Sequence, residues 1–146
     1  MSIDPTEHYR RLERMYLAAP NNGYYRPTLK VSQGRAELVI PVRREFFHAA
    51  GAVHGSVYFK ALDDSAYFAA SSLVFDVFLL TASFQVHFLR PIAAGEIHAR
   101  AEVVHHSRRL LIADSVLTDA EGRAIARGTG TFMPGDFPLS PDIGYR

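Results

Sequence analysis

Residues 53–70 read Val53-His54-Gly55-Ser56-Val57-Tyr58-Phe59-Lys60-Ala61-Leu62-Asp63-Asp64-Ser65-Ala66-Tyr67-Phe68-Ala69-Ala70. The run is mostly apolar, opens on His-Gly-Ser and carries an acidic pair at its middle. Phe59, Leu62, Ala66, Ala69, Ala70 and the following Leu73 recur at spacings of three, four and seven. That periodicity predicts one long helix, to about Leu73, with these residues on a single face. Much of the face is small, so the helix can approach a sheet closely.

The two carboxylates are not equivalent on this helix. At about 100° per residue, Asp63 points roughly 70° from the centre of the apolar face and Asp64 roughly opposite it. Asp64 is therefore the outward residue, with Lys60 four positions earlier as a weak partner. Asp63 sits at the border, where a half-buried carboxylate costs free energy unless something uses it. Gly55 and Ser56 place free backbone N–H groups at the helix start, where the macrodipole favours negative charge. Such donors can hold a carbonyl oxygen as it becomes an oxyanion. Gly55 and Asp63 lie about 12 Å apart along the axis at ~1.5 Å per residue, so if both act on one carbon they come from two subunits.

Working outward, 146 residues suit one domain with a full core. Apolar residues make up 48% and charged residues 21%, an ordinary globular balance. A formal net charge of +1 argues against a nucleic-acid partner. The absence of cysteine excludes disulfides, Cys-ligated metal and a thiol nucleophile. Met1 to Pro20 is too charged for a signal peptide, and no run of about 18 apolar residues exists to span a membrane. A cytoplasmic location with no membrane partner is the resulting expectation.

Asp4-Pro5 with Glu7 predicts an N-cap, a first-turn proline and a capping-box acid for a helix over about 5–17. Tyr9, Leu12, Met15 and Tyr16 make its packing side. Ala19 to Gly23 ends it, and Tyr24 to Pro27 leads into a strand. Leu29 and Val31, then Ala36 to Val42, alternate on either side of a Gln33-Gly34 turn. After the central helix, Leu80, Ala82, Phe84, Val86 and Phe88 face one way, and Thr81, Ser83, Gln85 and His87 the other. Strands follow over about 97–105, 109–117 and 123–133, and the prolines beyond 133 mark an irregular tail over 134–146. The expected class is α+β, with a meander of four successive antiparallel strands wrapped around the central helix.

These residues resemble the hotdog-fold acyl-CoA thioesterases, in their PaaI-type branch, over about Ala36 to Met133. The most specific part is His54-Gly55 followed by Asp63. Arg90-Pro91 with Gly95, and Glu121-Gly122-Arg123 leading into Gly128-Thr129-Gly130-Thr131-Phe132, also match. The resemblance implies one hotdog domain with its core over about 28–133, acting on an acyl-CoA substrate, with no cofactor or metal, as a homodimer or homotetramer with shared active sites. It also implies roles. Gly55 is the N–H donor to the thioester carbonyl, and Asp63 is nucleophile or general base. Thr81 aligns with a Ser or Thr that orients water or the carboxylate. His48 stands where relatives carry Asn or Gln, and imidazole can donate one hydrogen bond in place of the amide. Ser56 replaces a second Gly and narrows the acyl site.

Around these, His54 buttresses the helix start through nearby backbone, and Ser83, two residues beyond Thr81 on the same side, is a lower-ranked helper. Arg108 and Arg109, at a turn, are candidates for the phosphates of coenzyme A. Ser65 has no suitably spaced His, which speaks against a serine hydrolase. His105 and His106 point to opposite faces of a strand and make no metal pair. Two other readings compete with hydrolysis. One is a hotdog hydratase or dehydratase, which would need an Asp–His pairing that Phe68 interrupts. The other is a non-catalytic acyl-CoA binding module, in which Asp63 is only structural.

Overall fold

The computed structural model describes residues 3–146. Helix α1 (Pro5–Ala18) begins as its sequence dictates: the Asp4 carboxylate accepts from Thr6 N–H and Glu7 N–H, and Pro5 opens the helix. Glu7 is not the capping-box acid expected of it. Its Oε1 instead meets Arg11 at 3.0 Å and Arg14 at 2.9 Å, two cations on its own helix. The lead-in to the first strand contains a further turn of helix. A short helix α2 (Asn22–Tyr25) ends at Arg26, which has φ 54°.

The remaining elements are β1 (Thr28–Ser32), β2 (Arg35–Pro41), α3 (Gly55–Ser71), β3 (Val77–Phe88), β4 (Glu96–His106), β5 (Leu111–Thr118) and β6 (Ala124–Pro138). One six-stranded sheet has the order β1-β2-β4-β5-β6-β3, antiparallel throughout. This corrects the expected meander of four. Of those four, only β4, β5 and β6 are sequential neighbours; β3 lies at the far edge beside β6, and the segment after it crosses back to place β4 next to β2. The last strand also runs beyond Met133, because Leu79 pairs with Pro134 and Val77 with Pro138, so the irregular tail shrinks to residues 139–146.

The sheet curves around α3, the hotdog arrangement. Ala61, Ala66, Ala69 and Ala70 are fully buried, and these small side chains let the helix backbone approach the sheet. Leu38, Ile97, Leu117 and Phe132 close the core from the sheet side. Ser65, also fully buried, donates to the Ala61 carbonyl at 2.7 Å and meets Ser115 Oγ at 2.7 Å, so its hydroxyl is satisfied where it stands. Phe59 does not share the buried face: it is 40% exposed, touched edge-on by Phe84 in the first turns of α3.

The alternation expected along β3 is broken by a bulge. Thr81 pairs with Phe132 and Ser83 with Thr131, so the extra residue between them reverses the side on which the following residues stand. Before the bulge, Leu79 is buried while Leu80 is 58% exposed; after it, Phe84 and Val86 turn inward. Thr81 therefore faces α3 with the buried Phe132, and Ser83 lies on the outer face against Thr131.

The two ends of the chain meet on one flank of α3. His8, fully buried, joins Tyr145 Oη at 2.7 Å and the Ser71 carbonyl at 2.9 Å, and stacks on Phe75 at 4.0 Å. The carbonyl must be met by an N–H, so Nε2 carries the proton and Nδ1 accepts from tyrosine. Burial accordingly holds the His8 pKa below the usual histidine range.

Candidate active site

Two chemically distinct regions of α3 are positioned by the fold. At its start, His54 caps the helix: Nδ1 accepts from Ser56 N–H at 2.9 Å and lies 2.8 Å from Ser56 Oγ. Ser56 N–H is thus not free, contrary to expectation, and the donor left at the helix start is Gly55 N–H, which has no acceptor among the described residues. The absence of a side chain lets Phe88 approach closely here. A Cβ on Gly55 would stand 3.0 Å from a ring carbon of Phe88. The loop before the helix is folded back on itself, with Phe47 bridged to Val53 and His54 N–H donating to the Phe46 carbonyl at 2.8 Å. His48 lies exposed on this loop, where its Nδ1 accepts from Ala50 N–H at 3.0 Å.

At mid-helix, Asp63 Oδ1 accepts from the Thr81 hydroxyl at 3.0 Å, the pairing that the β3 bulge makes possible. Asp63 is half-buried, and its pKa is pushed up to about 6. Burial is the main cause; the Thr81 bond opposes it, the Asp64 charge adds to it and Lys60 opposes it. Asp64 is not the solvated residue expected from the helical wheel. Tyr16 of α1 donates to its Oδ2 at 2.6 Å, Lys60 Nζ lies 2.7 Å away, and only 16% of its side chain is exposed. The Lys60 partnership stands; the outward placement fails because α1 covers that side of α3. Burial, with Asp64 beside it, raises the Tyr16 pKa and keeps its hydroxyl a donor.

Asp63 opens into a cleft of about 900 Å³ between α1, α3, β3 and the tail. Tyr67 and Phe68 line it together with Tyr16, Phe78 and Ile143. Tyr58 instead fills the core, its hydroxyl donating to the Arg90 carbonyl at 2.8 Å. Ser83 is not brought to Asp63: its hydroxyl meets Thr131 Oγ1 at 2.5 Å on the outer face. Arg108 and Arg109 are exposed at the β4–β5 turn. Tyr16 was read in the sequence only as a packing residue, and its hydroxyl's role was missed.

A family profile, the thioesterase superfamily, matches residues 50–126, which contain α3, β3, β4 and β5. The chain belongs to the thioesterase superfamily. A crystal structure of a thioesterase family protein from Silicibacter pomeroyi is 32% identical, with a TM-score of 0.79 over 87% of this chain and 99% of that one. A conserved protein from Pseudomonas aeruginosa is 25% identical, with a TM-score of 0.78 over 84% and 98% of the two chains. The E. coli PaaI protein, from a phenylacetic acid degradation operon, reaches a TM-score of 0.84 at 17% identity, over 93% of this chain and 99% of that one, which shows the shared hotdog fold. As a member of this superfamily the protein is a thioester hydrolase.

Proposed function

We propose that the thioester hydrolysed is an acyl-CoA, split by water into a free acid and coenzyme A, with Asp63 as general base or nucleophile. The observation that carries this reading is the environment of Asp63: a carboxylate opening into an apolar cleft, held by one hydroxyl, with a pKa near 6 that suits a base working around neutral pH. As general base, Asp63 takes a proton from water while the oxygen adds to the thioester carbon; the C–S bond then breaks and the CoA sulfur leaves as thiol. Thr81 holds the carboxylate in place. Gly55 N–H receives the developing oxyanion, with His48 Nε2 as a second donor. His54 fixes the loop and the first turn, and Ser56 borders the acyl site. Arg108 and Arg109 meet the CoA phosphates. Ser83, on the outer face, is given no role.

Gly55 and Asp63 sit eight residues apart on one helix, so the reacting carbon takes its donor from one subunit and its carboxylate from another. The edge of the sheet supports such an assembly. β3 is 12 residues long and has β6 on one side only, an unpaired edge of the kind that a second copy can cover. The test is thiol release from acyl-CoAs by wild type and Asp63→Asn. Release that the substitution abolishes supports the reading; binding of acyl-CoA without release of thiol by the wild type sinks it.

A further inference from the structure

The proposed chemistry uses one wall of the Asp63 cleft and leaves most of its volume of about 900 Å³ without a task. Its lining is mostly apolar, with Asn21, Asn22 and Thr81 as uncharged polar exceptions, and the hydroxyls of its two tyrosines are occupied. Tyr16 donates to Asp64 at 2.6 Å while its ring meets Phe68 edge-on at 4.9 Å. Tyr67 donates to the Leu79 carbonyl at 2.9 Å while its ring packs against Phe78 at 5.4 Å. Lys60 is held at 2.7 Å by Asp64, so no unpaired cation stands deep in the cleft. The other charged residues that reach it, Asp142 and Arg146, are exposed on the tail at its mouth.

The outer walls belong to α1 and the tail, and they are fixed. His8 ties α1 to Tyr145 and to the end of α3. Gly144, at φ +90°, packs so closely that a Cβ there would stand 3.3 Å from Ala18 Cβ and from Met15 Cα. A largely apolar cleft with fixed walls beside the reacting carboxylate discriminates by size and by charge.

We propose that this cleft is the acyl chamber, that it takes large uncharged apolar acyl groups in preference to acetyl or to acids with a distal carboxylate, and that α1 and the tail are its size-setting walls. This rests on the acyl-CoA reading above. One methylene in an apolar pocket is worth about tenfold or more in kcat/KM, so decanoyl-CoA should exceed acetyl-CoA by at least ~10²-fold.

Ala19, at the end of α1, lines the chamber, and the chain has no tryptophan. Ala19→Trp therefore both narrows the space and reports on it. It should lower the decanoyl-to-acetyl ratio of kcat/KM by at least ~10-fold, and Ile143→Phe should do the same from the tail. Glutaryl-CoA should be turned over no faster than acetyl-CoA. The uncleavable thioethers decyl-CoA and ethyl-CoA form a second arm, followed by calorimetry for wild type and by indole emission for Ala19→Trp. Tighter binding of decyl-CoA with no thiol released from any acyl-CoA overturns the hydrolysis reading and upholds the chamber. Thiol release with no preference for the longer chain, or with a ratio that neither variant moves, overturns the chamber and upholds hydrolysis.

Discussion

Asp63 and Asp64 are adjacent in the chain and enter two differently furnished regions. On the α1 side, the Asp64 charge is answered by a lysine at 2.7 Å and a tyrosine hydroxyl at 2.6 Å. On the β3 side, Asp63 has one hydroxyl at 3.0 Å, and burial outweighs it. Both carboxylates are largely covered, so burial alone does not distinguish them. What differs is compensation. A paired buried charge is a fastening; an under-paired one keeps its affinity for a proton and can do chemistry.

The comparison breaks most sharply on Asp63→Asn. The rate of thiol release should fall by about 10²–10⁴-fold, the range for loss of a positioned acid–base group. Stability should move the other way. The folded-state pKa of about 6 lies above the ordinary carboxylate value of 3.8, so the cost of holding Asp63 is absent below pH 4 and grows as pH rises towards 6. The asparagine variant should therefore be more stable than wild type at pH 8, by about 1 kcal/mol, and should lose that advantage at pH 4. Thermal unfolding at the two pH values checks this. A rate loss of equal size in Asp64→Asn would erase the distinction between the two sides.

The start of α3 is the next place to press. A methyl group on Gly55 meets the ring of Phe88, which is 59% exposed and can swing away, so Gly55→Ala should fold while its N–H donor is displaced or blocked. Disturbing one oxyanion donor costs about 10²–10³ in kcat. Mixed with Asp63→Ala protein, the Gly55→Ala protein should regain activity through hybrid sites that hold one intact half of each kind. A fully active monomer in sedimentation at assay concentration would rule out the shared site.

On the structural side, Asp64→Ala should cost about 3 kcal/mol in urea unfolding, because Lys60 and the Tyr16 hydroxyl are left covered without their acceptor. The companion double variant Asp64→Leu with Lys60→Met should recover part of that loss, since an apolar pair removes both charges together. Full stability in Asp64→Ala would mean that the fastening carries nothing.

Much of this arrangement was legible in the chain. Apolar spacing of three and four marked α3 and α1, and Asp4-Pro5 marked where α1 begins. The helical wheel separated Asp63 from Asp64 by direction. What covers each side was not legible, because Tyr16 reaches Asp64 across 48 residues and a helical wheel knows nothing of a second helix. The side of Thr81 was misjudged for a different reason: strict alternation from Leu80 to Phe88 is what an unbroken strand would show, and no turn residue marks the bulge. Sheet order was out of reach as well, since the pairing of β3 with β6 is a long-range choice. His8 had a signal that went unused. It stands four residues before Leu12 on the packing stripe of α1, a position where a polar side chain calls for buried partners.

The finest test of the contrast is the acid limb of the pH profile. If Asp63 works as a base it must be ionised, so kcat/KM should rise with pH through about 6 in the wild type. The two neighbouring regions act on that limb with opposite sign. The Thr81 hydroxyl donates to the carboxylate and favours its charged form; Thr81→Val removes the donor, and the limb should move to higher pH. The Asp64 charge disfavours ionisation of Asp63; Asp64→Asn removes that charge while keeping an acceptor for Tyr16, and the limb should move to lower pH. A purely structural role for either residue would change the height of the profile and leave its midpoint in place. Displacement of both limbs in one direction, or a wild-type midpoint near that of an ordinary carboxylate, would show that Asp63 is not the group that titrates.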